Sequence, residues 1–274
     1  MRKNFFISLV FSVVFASFPA FADSFSDIIL NVSHEFLGRP YALGPLGEGE
    51  GIDADPLYRF DKFDCLTFVE TVLAQSYTQN STASFRTPSD YRDNYFKNLM
   101  NKIRYKDGII SFVTRNHFQN PDWVENNSHF VQNKSNEISK SVLNKNSSKS
   151  IIKLDRKSWF KKNYNIDFDA PIETISLDYI SLSDFKNNIT KFTLFIDKPY
   201  IFMTVIKDDS LKQKAGTEID ISHTGFLIKK DGKLYLRHAS SVAGKVVDND
   251  FEKYIEKIQK NPKYMGFSLL EIIE

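Results

Sequence analysis

The chain has 274 residues and a formal net charge of +2, with 36 lysines and arginines against 34 aspartates and glutamates. That near-balance, with the lysines scattered, provides no basic stripe of the kind nucleic acid selects, and a composition 42% hydrophobic and 14% aromatic excludes a disordered chain. A single cysteine, Cys65, excludes an internal disulfide, so that residue is either an inert apolar filler or a functional thiol.

Arg2 and Lys3 precede an apolar run from Phe5 to Phe18, which closes on Ala20-Phe21-Ala22. This is the pattern of a secretory signal cut after Ala22. The run is short for a membrane span, so no anchor is expected to survive cleavage. The mature chain, 23–274, is long enough for one sizeable core or two small ones. It is expected to form a single domain, a monomer, in the periplasm or secreted.

Phe25, Ile28, Ile29, Val32 and Phe36 recur at helical spacing, behind a cap at Ser24 or Ser26 and ahead of Gly38-Arg39-Pro40. The glycine-rich stretch 41–52 reads as loop, with Glu48 and Glu50 solvated. An apolar helix starts at Cys65, capped by Asp64 and carrying Leu66, Phe68, Val69, Val72 and Leu73. Another helix is expected over 91–103, then a turn and short strand over 104–112. Residues 133–150, rich in Asn, Ser and Lys, read as an exposed connector within a middle insertion spanning about 117–199. Alternation predicts a strand over 171–182, and Ser183-Asp184 a helix reaching Ile189. The last third is mostly β. It has an apolar run at 200–206, a hairpin of 223–229 and 233–238 about Lys230-Asp231-Gly232, a helix over 250–258 and a strand over 264–273.

A cysteine at a helix start meets free N–H groups that favour a thiolate and help hold an oxyanion. Such a thiol needs a histidine in reach, and that histidine needs an orienting partner. Reflecting the hairpin about Asp231 sets residue 223 opposite 239, which makes His223 and His238 cross-strand neighbours. One suits a base and the other its orienter. His34, His117 and His129 show no close metal-ligand spacing, so no metal is expected.

Phe63-Asp64-Cys65, Ile221-Ser222-His223-Thr224-Gly225-Phe226 and Leu236-Arg237-His238-Ala239-Ser240-Ser241 resemble the nucleophile, histidine and "HASS" segments of the NlpC-like branch of papain-fold cell-wall hydrolases. Gly38-Arg39-Pro40-Tyr41 resembles the segment before the nucleophile. Most of that superfamily carries Asp-Cys-Ser-Gly at the nucleophile. Here Asp64-Cys65-Leu66-Thr67-Phe68-Val69-Glu70 stands in its place, and Arg115-Asn116-His117-Phe118 is followed by Asp122-Trp123. Both resemble the branch once called domain of unknown function 1460, whose members act as N-acetylmuramoyl-L-alanine amidases. The resemblance runs in order over most of 35–270.

The resemblance implies a papain-like α+β fold, with N-terminal helices carrying the nucleophile on an antiparallel sheet carrying the histidines. It implies Cys65 as nucleophile, His223 as base and His238 as orienter. Tyr41 is implied at the oxyanion, and Asp64, Arg115, His117 and Ser222 beside the substrate. The substrate would be peptidoglycan or a soluble muropeptide, with no cofactor. The bond would be the muramoyl-L-alanine amide, with a γ-D-glutamyl-diamino acid endopeptidase or a papain-like acyltransferase as alternatives. A non-catalytic wall-binding module would be marked by loss of the cysteine or a histidine, and neither is lost.

Overall fold

The computed structural model describes residues 24–82 and 88–274; the signal segment 1–22 lies outside the described residues. The elements begin with α1 (Phe25–Glu35), α2 (Cys65–Ser81) and α3 (Ser89–Arg104). A 3-10 turn (Lys106–Gly108) and a π-helical turn (Gln119–Trp123) lead into α4 (Val124–Asn126). There follow β1 (Val131–Asn133), α5 (Ser135–Leu143), β2 (Ser148–Leu154), α6 (Arg156–Tyr164) and β3 (Glu173–Ser181). The remainder is α7 (Leu182–Asn187), α8 (Ile189–Phe195), β4 (Tyr200–Ile206), α9 (Asp209–Ala215), β5 (Ile221–Lys230), β6 (Lys233–Ser240), β7 (Lys245–Asp250), α10 (Phe251–Ile258) and β8 (Tyr264–Ile272).

The strands form one sheet in the order β2-β3-β8-β4-β5-β6-β7, with β1 also pairing β8, and every pairing is antiparallel. Its central strand shows why an apolar run and not an alternating one marks it. In β4, Ile201, Met203 and Val205 enter the core shared with α1, α2 and α3, while Tyr200 and Phe202 enter a second core under α7, α8 and α10. A strand covered on both faces has no polar side to show. Helix α2 is likewise buried nearly all round, from Thr67 through Ala74, and Phe68 meets Phe226 of β5 edge to face at 5.7 Å.

Two expectations fail in the middle of the chain. Residues 104–112 give the turn without a strand, because Asp107 and Gly108 take positive φ and fold the chain back until Tyr105 bridges Arg115. Residues 133–150 are not an exposed connector. Their polar residues are spent on holding ordered elements. Asn133 donates to Asp178 O at 3.0 Å, Ser135 Oγ accepts from Leu269 N–H at 2.9 Å, and Asn136 accepts from Ser147 N–H at 3.1 Å, while Ile138 and Val142 are buried. Through β1, β2 and β3 this middle segment belongs to the same sheet as the histidine hairpin. No helix among the described residues is long and apolar enough to cross a membrane.

The segment joins the rest through β1 and β3, both paired with β8, and Ser181 of β3 lies opposite Gly266. A Cβ at Gly266 would lie 2.1 Å from Ile180 O and 2.5 Å from the Tyr179 ring, neither of which has room to yield. Gly266→Ala is therefore expected to destabilise the fold by about 1–3 kcal/mol. Urea unfolding should show a lower midpoint with an unchanged slope; an unaltered midpoint would mean that the two strands are not held this closely.

Candidate active site

The site begins with a cap. The Asp64 carboxylate accepts from Thr67 N–H at 2.8 Å, and Asp64 N–H donates to Thr67 Oγ1 at 3.0 Å, a reciprocal box that starts α2 at Cys65. Its second oxygen accepts from Gly44 N–H at 3.1 Å. Asp64 thus anchors both the helix start and the preceding loop. Tyr41 is brought alongside by main-chain bonds. Tyr41 N–H donates to Gly244 O at 2.8 Å, and Phe63 and Pro40–Ala42 exchange bonds of 2.9 and 3.0 Å. Burial, together with Cys65 and Asp64, raises the Tyr41 hydroxyl above its ordinary value.

The histidines come from the hairpin, but in a different register from the one expected. Asp231 (φ 49°) and Gly232 (φ 73°) form a two-residue turn with both residues left-handed, the primed type that matches strand twist. Phe226 then pairs with Arg237, one residue away from reflection about Asp231. The consequence is that His238 falls beside Gly225 and shares a face with His223, where the expected register would have turned it to the opposite face. A Cβ on Gly225 would lie 2.7 Å from His238 Cβ, so the glycine clears the space the two rings use. In the pairing of β4 with β5, Thr204 faces His223 and Val205 faces Ile221, so Ser222 is a bulge that re-aims the histidine beside it.

The rings meet at 2.5 Å, His223 Nε2 to His238 Nδ1, and His238 Nε2 lies 2.8 Å from Asn249 Oδ1. From the other face of the sheet α2 packs against β5, and the backbone N–H of Thr224, the residue after His223, favours the charged form of Cys65. The N–H groups of Cys65 and Leu66 act in the same direction. Among the described residues Cys65 makes no direct hydrogen bond to an imidazole.

A lowered thiol pKa does not follow from this environment. Burial pushes Cys65 up from 9.0 to about 12, Asp64 adds to the push, and the three N–H groups oppose it without reversing it. Burial also pushes His223 down to about 3, with His238 contributing, and lowers His238 as well. Burial therefore favours the neutral form of both the thiol and the imidazole.

Ser222, His223 and His238 line a cleft of about 500 Å³, walled by Asn249 and by Lys253 and Lys257 of α10. Arg115 and His117 line a different cavity. Arg115 pairs with Glu48 at 3.3 Å and Asp53 at 2.8 Å, which buries the Glu48 that the sequence reading left solvated. His117 bonds Phe112 O at 2.6 Å inside an aromatic cluster with Trp159 and Phe160, and burial lowers it to about 4. Other distinctive residues are likewise held by buried polar contacts. Glu70, pushed up to about 7 by burial, takes Arg104 at 3.2 Å and Trp123 Nε1 at 3.1 Å, and Asp122 takes Arg156 at 2.6 Å. Among the described residues no group of three or more His, Cys, Asp or Glu is placed to hold a metal. Sequence reasoning missed Asn249; a lone Asn between Asp248 and Asp250 carries no signal until β7 is known.

An antiparallel sheet carrying a histidine pair, packed on a helix that opens at a lone cysteine, defines an α+β protein of amidase-like fold. The model of the AmiA-like family, N-acetylmuramoyl-L-alanine amidase-like, matches residues 31–261, and the chain belongs to that family. Among solved structures it is similar to a Legionella pneumophila protein of the domain of unknown function 1460. The two share 25% identity and a TM-score of 0.80 over 92% of this chain and 90% of that one. It also shares the fold of an N-acetylmuramoyl-L-alanine amidase from Bacteroides uniformis, with 21% identity and a TM-score of 0.66 over 90% of this chain and 99% of that one. No curated protein matches the chain.

The neutral resting pair has a kinetic signature. A raised thiol exposes little thiolate below its pKa, so alkylation by iodoacetamide should be slower than for a free thiol from pH 7 to 9 and should still be climbing above pH 9. A rate that levels off below pH 7 would instead reveal a thiolate–imidazolium pair at rest.

Proposed function

We propose that the protein is an exported cysteine amidase of the NlpC-like, papain-fold kind that hydrolyses the N-acetylmuramoyl-L-alanine amide of peptidoglycan or its soluble fragments. The observation that carries the reading is His223, its Nε2 already engaged by His238, on the strand against which the helix opening at Cys65 packs. That leaves His223 Nδ1 as the nitrogen for the thiol proton. Family membership supports the bond, and the signal pattern ending at Ala22 supports export, where the wall lies.

In the proposed reaction the Cys65 proton passes to His223 Nδ1 as the sulfur bonds to the lactyl carbonyl carbon. The carbonyl oxygen becomes an oxyanion facing the Cys65 N–H and the Tyr41 hydroxyl. The carbon–nitrogen bond breaks as His223 returns the proton to the nitrogen of the leaving L-alanyl peptide. Water then loses a proton to His223 and adds to the thioester, and the sulfur leaves with that proton. Because the pair begins neutral, the only charges formed are the imidazolium and the oxyanion, within a few ångströms of each other. Lys253 and Lys257, one turn apart on the cleft wall, match the carboxylates of an acidic stem peptide.

With muramoyl-L-alanyl-D-glutamyl-diaminopimelate as substrate, mass spectrometry should find a tripeptide with a free L-alanine amine, and Cys65→Ser should lose at least roughly 10³-fold in kcat. Release of a muramoyl dipeptide ending in D-glutamate would make the enzyme an endopeptidase. Full activity in Cys65→Ser would remove the cysteine from the chemistry.

A further inference from the structure

The hydrogen bonds beyond His238 assign a role to a residue outside the cysteine and two histidines. We infer that Asn249 is a positioning residue that sets the tautomer of both imidazoles, through His238 Nε2 at 2.8 Å and on to His223 Nε2 at 2.5 Å from His238 Nδ1. The inference rests on the cysteine-amidase reading for its catalytic meaning, but not for its geometry.

The argument is a count of protons. Asn249 presents its amide oxygen, which only accepts. His238 must therefore carry its proton on Nε2, which leaves a bare lone pair on Nδ1. That lone pair accepts from His223, so His223 must be protonated on Nε2. His223 Nδ1 is then bare, and it is the one ring nitrogen left to take a proton from Cys65. Without the asparagine oxygen, His238 is free to protonate Nδ1. It would then donate toward His223 Nε2, and His223 would move its own proton to Nδ1, where it cannot serve as a base. Loss of the correct tautomer disables such a base even when the ring stays in place.

The fold holds Asn249 firmly for this task. In the pairing of β6 with β7, Asn249 faces Leu236 while His238 faces Val247, so Asn249 is a diagonal neighbour of His238 on one face. The residues on each side are pinned independently. Arg237 grips Asp248 with two bonds of 2.7 and 2.8 Å, and its other nitrogen reaches Leu30 O and Ser33 Oγ of α1 at 3.0 and 2.9 Å. Asp250 accepts from Lys253 N–H at 3.1 Å and caps α10. Between these anchors the Asn249 side chain has a fixed origin, and the register of the edge strand is locked by a bidentate pair.

The test separates tautomer from activity. With ¹⁵N-labelled histidine, NMR of the wild type near pH 7.5 should show both His223 and His238 neutral and protonated at Nε2. Asn249→Asp keeps an acceptor and should keep the proton on His238 Nε2, with a smaller loss of kcat than Asn249→Leu. Asn249→Leu removes it and should move His238 toward the Nδ1–H form, with kcat falling by roughly 10²-fold and KM little changed. Equal losses in the Asp and Leu variants, or unchanged tautomers in Asn249→Leu, overturn the inference. If the tautomers respond as stated while no muropeptide is cleaved, the inference stands and the amidase reading is the one that fails.

Discussion

Everything at this site depends on the register of one hairpin. The side-chain period of a strand is two, so a slip of a single residue between β5 and β6 would send His238 to the face of the sheet occupied by α2. The Asp231-Gly232 turn prevents that slip by requiring two left-handed residues, and the close fit of Gly225 under His238 leaves no second solution. The bulge at Ser222 then re-aims His223, whose ring meets His238. The two faces of the sheet carry different parts of the proposed site, and the strand between them joins the parts.

That arrangement explains the electrostatics. A thiol packed between α2 and β5 and an imidazole packed against its neighbour both lose water, and burial opposes charge on each. The helix start and its N–H groups act on the sulfur, but desolvation outweighs them. In the proposed reaction, therefore, the site does not store a thiolate. It stores the geometry for making one: an imidazole with its acceptor nitrogen free and its other nitrogen committed. Rigidity matters more than charge in such a design, which is why so much of the surrounding structure is a buried polar frame. Glu70 with Arg104 and Trp123, Arg115 with Glu48 and Asp53, and Arg237 with Asp248 each tie a site-bearing segment to the scaffold.

The parts of this fold that rest on local signals were legible in the sequence. The cap at Asp64 and the helix behind it, the apolar run of β4 and the Asp-Gly turn all announce themselves within a few residues, and their elements lie where pattern places them. What depends on distant partners was not legible. Glu48 reads as a solvated loop acid until Arg115, 67 positions later, is folded onto it. Asn133, Ser135 and Asn136 read as flexible because their composition is polar, although each is spent on a backbone or side-chain bond. The short edge strand β7, with Asn249, has no run of apolar residues to mark it. Arg115 and His117 carry the family resemblance and line a cavity separate from the cleft beside the histidines, a separation that only the folded chain reveals.

The central claim is that Cys65 forms a covalent acyl intermediate with the muramoyl side of the substrate. It is tested most directly by rapid acid quench during turnover of a muramoyl-tripeptide, followed by intact mass measurement and peptide mapping. The account predicts a labile adduct with the mass of the muramoyl acyl group, confined to the peptide containing Cys65 and absent from Cys65→Ala. Product formation with no adduct, an adduct on another residue, or undiminished turnover in Cys65→Ala would contradict it.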